Sequence, residues 1–379
     1  MFSPWFISCA LVALTTTGIV PILVPLEIVA VQGNPANVGL VMATIGAGML
    51  TSPLWAALAA RYSCYRQLMF LGSAGVGLCL WGFDACSDLP HWLVCAFLTG
   101  CCVATTFTLA NIILVSLYPQ DADERISWLQ TLVTAGTVLG LVVAGAVEHL
   151  PFGAGVWAGG ITSALAAALT WSVPAQVVPP PPPQKVSGAP SWSRPLGVLL
   201  LLWFLSNAGV SGYTAYYPLV MKVEFAVDPA TASYVLAGAS ALSTLIFAGA
   251  GRVVRKLGYS RLMIASLAGR MLALVSLSVL SYQEFPGREY LALALFTIIT
   301  LLWPLISVSA TLLASELAFS KSRGLGYFDG AAALAHLVGP AAAGLLANAL
   351  GYESVIVFAA ASIAVSLLVS PLIVTTRAT

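Results

Sequence analysis

Charge is what this sequence has least of. Fifteen Lys and Arg, fourteen Asp and Glu and three His stand among 379 residues, so only 8% are charged, against about a quarter in an ordinary soluble domain. A hydrated surface cannot be built from so few. The basic residues stand singly between apolar runs and the net charge is +1, which excludes a basic patch and with it nucleic acid as an expected partner. No glycine-rich phosphate loop, metal-ligand cluster or nucleophile constellation is present, so nothing supports direct ATP hydrolysis, a resident metal or a cofactor. Cysteine is absent beyond Cys102: Cys9, Cys64, Cys79, Cys86, Cys95, Cys101 and Cys102 all lie in the first third. Their spacing is neither a disulfide framework nor a metal site, and they read as small apolar packing residues. Period-two polar alternation is missing too, which excludes a membrane β-barrel.

What fills the sequence is apolar. Hydrophobic residues make up 59% and the mean hydropathy is +0.96. They fall in runs of about 20, each long enough to cross a hydrocarbon core of about 30 Å, and the bilayer then demands helix. Runs between turn and charge signals give twelve spans: 4–31, 36–58, 66–86, 90–117, 126–148, 152–175, 197–221, 229–252, 260–282, 289–316, 324–349 and 352–374. The first run lacks a basic leading region and contains Pro21, Pro25 and Glu27, so it reads as a retained span rather than a secretory signal. Pro179 to Pro183, followed by Gln184 and Lys185, form a stiff polyproline-type spacer. The expected organisation is therefore an all-α integral membrane protein of twelve helices in two pseudo-symmetric six-helix bundles, 1–176 and 197–379, joined by a linker over 177–196.

With an internal N-terminus, Arg61, Arg66, Arg125, Lys185, Arg194, Arg252, Arg255, Lys256, Arg261, Lys321, Arg323 and Arg377 fall on internal segments, and only Lys222 and Arg288 on external loops. That bias puts both termini and the linker in the cytoplasm, as for a bacterial inner-membrane protein. The halves also repeat one another. Asn34-Pro35-Ala36 opens the second helix and Asp228-Pro229-Ala230 the eighth, each an N-cap residue followed by proline at the first helical position. The loop after the second helix carries Arg61, Ser63 and Arg66, and the loop after the eighth carries Lys256, Gly258 and Arg261.

On these residues the sequence resembles the major facilitator superfamily over essentially its whole length. The second loop copy keeps Gly251, Lys256, Gly258 and Arg261 of the family's Gly-x-x-x-Asp-Arg/Lys-x-Gly-Arg pattern, with Arg255 at the usual Asp; the first has Ala56 and Ala60 at the Gly and Asp positions. Gly339-Pro340 to Gly344, then Gly351-Tyr352, is similar to the family's Gly-Pro stretch in helix eleven, and Gly136, Gly140 and Gly145 resemble helix five of its drug and proton antiporters without their Gly-Pro pair. Ala96 stands where those antiporters often carry Arg. The resemblance implies alternating access about a midplane site between the halves, with Arg61, Arg66, Arg255, Lys256 and Arg261 as a gating loop. The glycines are close-packing positions or hinges.

An ionisable side chain inside a span costs about 2.5–3.5 kcal/mol on insertion scales, so the few present are candidates. Glu27, near the outer end of helix one, reads as a carboxylate reaching headgroup water or as a proton-binding group. His336 lies mid-helix and Asp329 seven residues earlier on roughly the same face, a pair suited to proton relay or polar recognition or to packing and helix-dipole compensation. Arg270 in helix nine reads as a snorkelling or packing residue. Asn207, Tyr213, Tyr216 and Tyr217 in helix seven, Asn111 in helix four and Gln130 in helix five are candidates for an organic solute, with an interfacial aromatic belt as the alternative for the tyrosines. These features point to a monomeric secondary transporter of a small molecule, coupled to protons and exporting. Uptake of an organic solute such as a sugar or metal chelate, by symport or facilitated diffusion, is the alternative. A membrane-embedded enzyme or receptor is the competing class, disfavoured because the ionisable residues are scattered over different helices.

Overall fold

The computed structural model describes residues 3–118, 120, 122–174, 193–317 and 321–372. The proline run, Lys185 and Arg377 lie outside the described residues, as do the side chains of Arg255, Lys321 and Arg323. All regular structure among the described residues is helical: α1 (Trp5–Ala13), a π turn (Leu14–Ile19), α2 (Val20–Gln32), α3 (Pro35–Met49), α4 (Ser52–Tyr62), α5 (Tyr65–Ala85), α6 (Leu89–Leu117), α7 (Ala122–Val147) and α8 (Phe152–Leu169) with a 3-10 turn (Thr170–Ser172). After the linker come α9 (Arg194–Phe225), α10 (Pro229–Leu257), α11 (Tyr259–Ser281), α12 (Arg288–Leu301), α13 (Trp303–Leu317), α14 (Lys321–Leu350) and α15 (Glu353–Val369). Joining α1 through α2, α3 with α4 and α12 with α13 leaves eleven stretches long and apolar enough to cross a bilayer, and the 17-residue α15 supplies the twelfth. The expected all-helical, twelve-span architecture is present.

The cap expected at Asn34 is local: its Oδ1 accepts a hydrogen bond from the Ala36 N–H at 2.9 Å ahead of Pro35. A cap not singled out in the sequence opens α9, where Ser193 accepts from the Leu196 N–H at 3.3 Å. The two repeated loops turn on left-handed residues, Ser63 with φ 51° and Gly258 with φ 84°.

The π turn was not expected, and proline explains it. Pro21 has no N–H to offer the Thr17 carbonyl one turn earlier, and its ring crowds that carbonyl. The chain widens instead, and the Val20 N–H reaches back five residues to Thr15 O. Hydroxyls also bond carbonyls of the preceding turn: Thr16 donates to Val12 O at 2.9 Å and Thr17 to Ala13 O at 2.7 Å.

The chain divides into two compact units. The first comprises Met1–Gly33, Leu40–Pro183 and Pro229–Ala237, the second Asn34–Gly39, Gln184–Asp228 and Gly238–Thr379. In the first unit α5 packs on α6 and α8, and α7 on α1 and the π turn. Glycine allows that last contact: a side chain on Gly18 would begin 2.5 Å from the Gly140 Cα, and one on Gly140 would overlap the Leu14 carbonyl. Backbones touching in this way replace the hydrophobic drive that lipid does not supply. Trp5, Phe6, Tyr65, Met69, Leu109 and Ile113 form the core at one end of these helices. The seven cysteines are free thiols, and Cys9, Cys79, Cys95 and Cys101 are buried.

In the second unit α9 is the axis, packed by α14 and α15, while α11 packs on α12, α13 and α15. The Gly339 site lies against the Ala208 carbonyl and Ser211, whose hydroxyl donates to Ala335 O at 3.0 Å. The first turn of α3 belongs here, with Gly39 against the Gly344 backbone and the Pro340 carbonyl, and the Tyr216 hydroxyl donating to Pro35 O at 2.5 Å.

Candidate functional site

Each unit carries a stripe of polar groups that reaches the surface of its membrane helices. In the second unit the stripe runs along α14. Asp329, His336, Pro340 and Gly344 fall within a narrow arc of the helix at 100° per residue. At one end Pro340 and Gly344 are covered by the first turn of α3, while Asp329 and His336, on the same arc, are exposed. Pro340 adds to this, because it cannot donate to the His336 carbonyl four residues earlier. Backbone acceptor and imidazole therefore share one position half-way along α14. The neighbouring Phe328 turns inward and stacks on Trp203 at 4.3 Å, which fixes the rotation of the helix that presents Asp329.

In the first unit the stripe combines α7 with the π turn. Gln130, Thr134 and Thr137 share a face of α7, and Gln130 is exposed. The Thr17 hydroxyl meets that of Thr137 at 2.6 Å on the same exposed face. Thr134 donates to Gln130 O at 2.9 Å, and Thr137 lies 3.1 Å from Val133 O, so one hydroxyl of the Thr17–Thr137 pair gives its proton to the other in place of its own helix. Sequence reasoning found Gln130 but missed Thr17 and Thr137. The signal available was Pro21 three residues after the Thr15-Thr16-Thr17-Gly18 run.

The other candidates are placed differently. Tyr213, Tyr216 and Tyr217 are fully buried. Tyr217 stacks on Phe296 at 3.8 Å, Tyr213 meets Tyr217 edge-on at 6.5 Å, and Tyr216 faces Tyr352 at 6.2 Å. Tyr352 lies in the turn before α15, where burial, then the Glu224 charge, pushes its phenol above the usual range. Asn207 is buried and donates to Trp203 O in its own helix at 2.8 Å. Asn111 is half-buried on α6. Glu27, half-buried in α2, lies within electrostatic reach of Asp84 on α5. Arg270 is buried, 5% exposed, with its guanidinium 5.5 Å from the Trp303 ring and its Nε unpaired. Of the loop cations, Arg61 lies over Tyr62 at 5.4 Å and Arg66 over Trp171 at 4.7 Å, while Lys256 and Arg261 are exposed.

Solved structures share this architecture. A nucleoside transporter, NupG, aligns over 98% of this chain and 98% of its own at 13% identity with a TM-score of 0.80. An auto-inhibited POT-family peptide transporter aligns over 98% and 96% at 14% identity and 0.79, and a bacterial homologue of the iron transporter ferroportin over 97% and 98% at 15% identity and 0.70. At such identities the likeness is one of fold. No curated protein sequence matches the chain. The sequence model of the Major Facilitator Superfamily matches residues 5–326, most of the chain. The chain is a member of the Major Facilitator Superfamily and an integral membrane protein of transporter type.

Proposed function

We propose that this transporter moves a small polar organic solute by proton-coupled exchange, in the direction of export, with Asp329 and His336 as the proton-handling pair. The observation that carries the reading is their shared exposed stripe on α14. Charge and imidazole are costly on a membrane helix unless they meet water, a solute or a partner, and histidine changes charge near neutral pH. The stripe of Thr17, Gln130, Thr134 and Thr137 supplies neutral donors and acceptors, which hold a polar solute without adding charge. The buried tyrosines pack α9 within the second unit, and Glu27 is a further proton-accepting candidate. The basic bias of the sequence supports a cytoplasmic location for both termini and the linker, as in a bacterial inner membrane.

The test is transport in proteoliposomes with an imposed pH gradient and a panel of radiolabelled polar solutes. Asp329→Asn and His336→Asn should abolish accumulation driven by the gradient and leave solute exchange at equal pH. Uphill transport of unchanged pH dependence in both variants would remove them as the proton site and favour facilitated diffusion. Orientation is tested separately, with Cys introduced at Ser187 in a cysteine-free background. Labelling by an impermeant reagent from outside intact cells would reverse the topology.

A further inference from the structure

Away from both stripes, the first unit carries a surface cleft of about 200 Å³ lined by Arg66, Gln67, Phe70, Leu71 and Trp171. It lies where α5 begins and where α8 ends in its 3-10 turn, at one end of two membrane spans. Its wall is apolar, and a cation stands beside it. The Arg66 guanidinium stacks over the Trp171 ring at 4.7 Å, its Nε is buried without a hydrogen-bond partner, and among the described residues it forms no ion pair. Cys64 gives α5 no side-chain cap, so the N–H groups of its first turn have no partner within the helix and carry partial positive charge.

The apolar wall faces outward. Phe70 meets Trp171 edge-on at 5.9 Å, and Leu71 and Trp171 are 60% and 58% exposed. An occupant that satisfies both cation and wall has an anion at one end and hydrocarbon beyond it. A free anion leaves Phe70 and Leu71 uncovered, and a zwitterionic lipid brings no net charge to Arg66.

We propose that this cleft binds an anionic phospholipid, its phosphate on Arg66 and the first turn of α5 and an acyl chain along Leu71, Phe70 and Trp171. Guanidinium matches phosphate in a two-pronged hydrogen bond, tryptophan favours the headgroup level, and basic residues at a membrane end attract anionic lipid. On the orientation proposed above the lipid belongs to the cytoplasmic leaflet, although binding itself does not depend on that orientation. The gating expectation for Arg66 then gains a lipid-dependent component.

Native mass spectrometry of the purified protein, with phosphatidylglycerol or phosphatidylcholine added, tests the proposal. The wild type should retain phosphatidylglycerol preferentially, and Arg66→Gln should lower that retention about fivefold while phosphatidylcholine retention stays the same. Should the variant not fold, the wild type with a photoreactive phosphatidylglycerol gives an independent answer, with cross-links expected on the peptides holding Phe70 and Leu71 or Trp171. Equal retention of the two lipids by the wild type, unchanged retention in the variant, or cross-links only elsewhere would overturn the assignment. Displacement of the lipid by millimolar inorganic phosphate would also overturn it, by making this a site for free anions.

Discussion

Arg270 holds a positive charge inside α11 beside the indole face of Trp303, with no ion pair among the described residues. Cation–π contact with a desolvated tryptophan contributes about 2 kcal/mol, less than the several kcal/mol that burying an ion costs. Replacing it by methionine, which keeps the length and removes the charge, should leave thermal stability in detergent unchanged or raise it by about 1 kcal/mol. A fall of several degrees would show that the Trp303 stack matters more than the charge. At the α14 stripe, His336→Asn should flatten the pH dependence of transport between about pH 5 and 8, where imidazole titrates, measured as initial rates across a pH series. Tyr352 gives a different pH signature. Its phenol is raised in the folded protein, so its contribution is complete below the unfolded value of about 10 and is lost as pH rises through the folded value. Tyr352→Phe should therefore lessen the alkaline loss of melting temperature above about pH 10 and change nothing at neutral pH.

At the scale of elements, helix contacts in this chain depend on missing side chains. Gly140 has the Leu14 carbonyl and the Gly18 Cα against it, with backbone on both sides and no flexible side-chain end to move away. Gly140→Val should cost more than about 3 kcal/mol, as overpacking at its upper range does, and show as loss of the monodisperse species on size exclusion. The repeated loops allow a paired comparison. Ser63 adopts φ 51° where the other copy uses glycine, a conformation costing an L-residue about 1–2 kcal/mol. Ser63→Gly should raise the melting temperature and Gly258→Ala should lower it, each read by thermal unfolding.

At the scale of the molecule, the sequence made the spans legible, because bilayer thickness and backbone hydrogen bonding leave a twenty-residue apolar run few alternatives. The cap at Asn34 is local enough to follow from the same reading, and the glycines of helices five and eleven were legible as close-packing positions although their partners were not. What could not be read depends on partners distant in the chain. Tyr216 finds Pro35 O across 181 residues and Arg66 finds Trp171 across the whole first unit. The burial of Tyr213 and Tyr217 depends on Phe296, and hydropathy cannot tell an inward face from one that meets solute. Half of the α14 pair's geometry was available, since seven residues complete nearly two turns; its exposure was not. Tyr216→Phe should loosen the first turn of α3, measured as faster alkylation of a cysteine placed at Ala36.

The confinement of all seven thiols to residues before 103 gives the protein an intrinsic one-sided reporter. Alkylating mass tags added during denaturation will count the opening of the first unit alone, since the second unit has nothing to react apart from whatever is engineered there. Tryptophan fluorescence covers both units, with seven of the ten tryptophans in the first and Trp203 and Trp303 stacked at 5.6 Å in the second, so any part of its change that departs from the thiol trace belongs to the second unit. Comparing the two traces in one denaturant series of the unmodified protein will tell whether the halves melt together or in sequence.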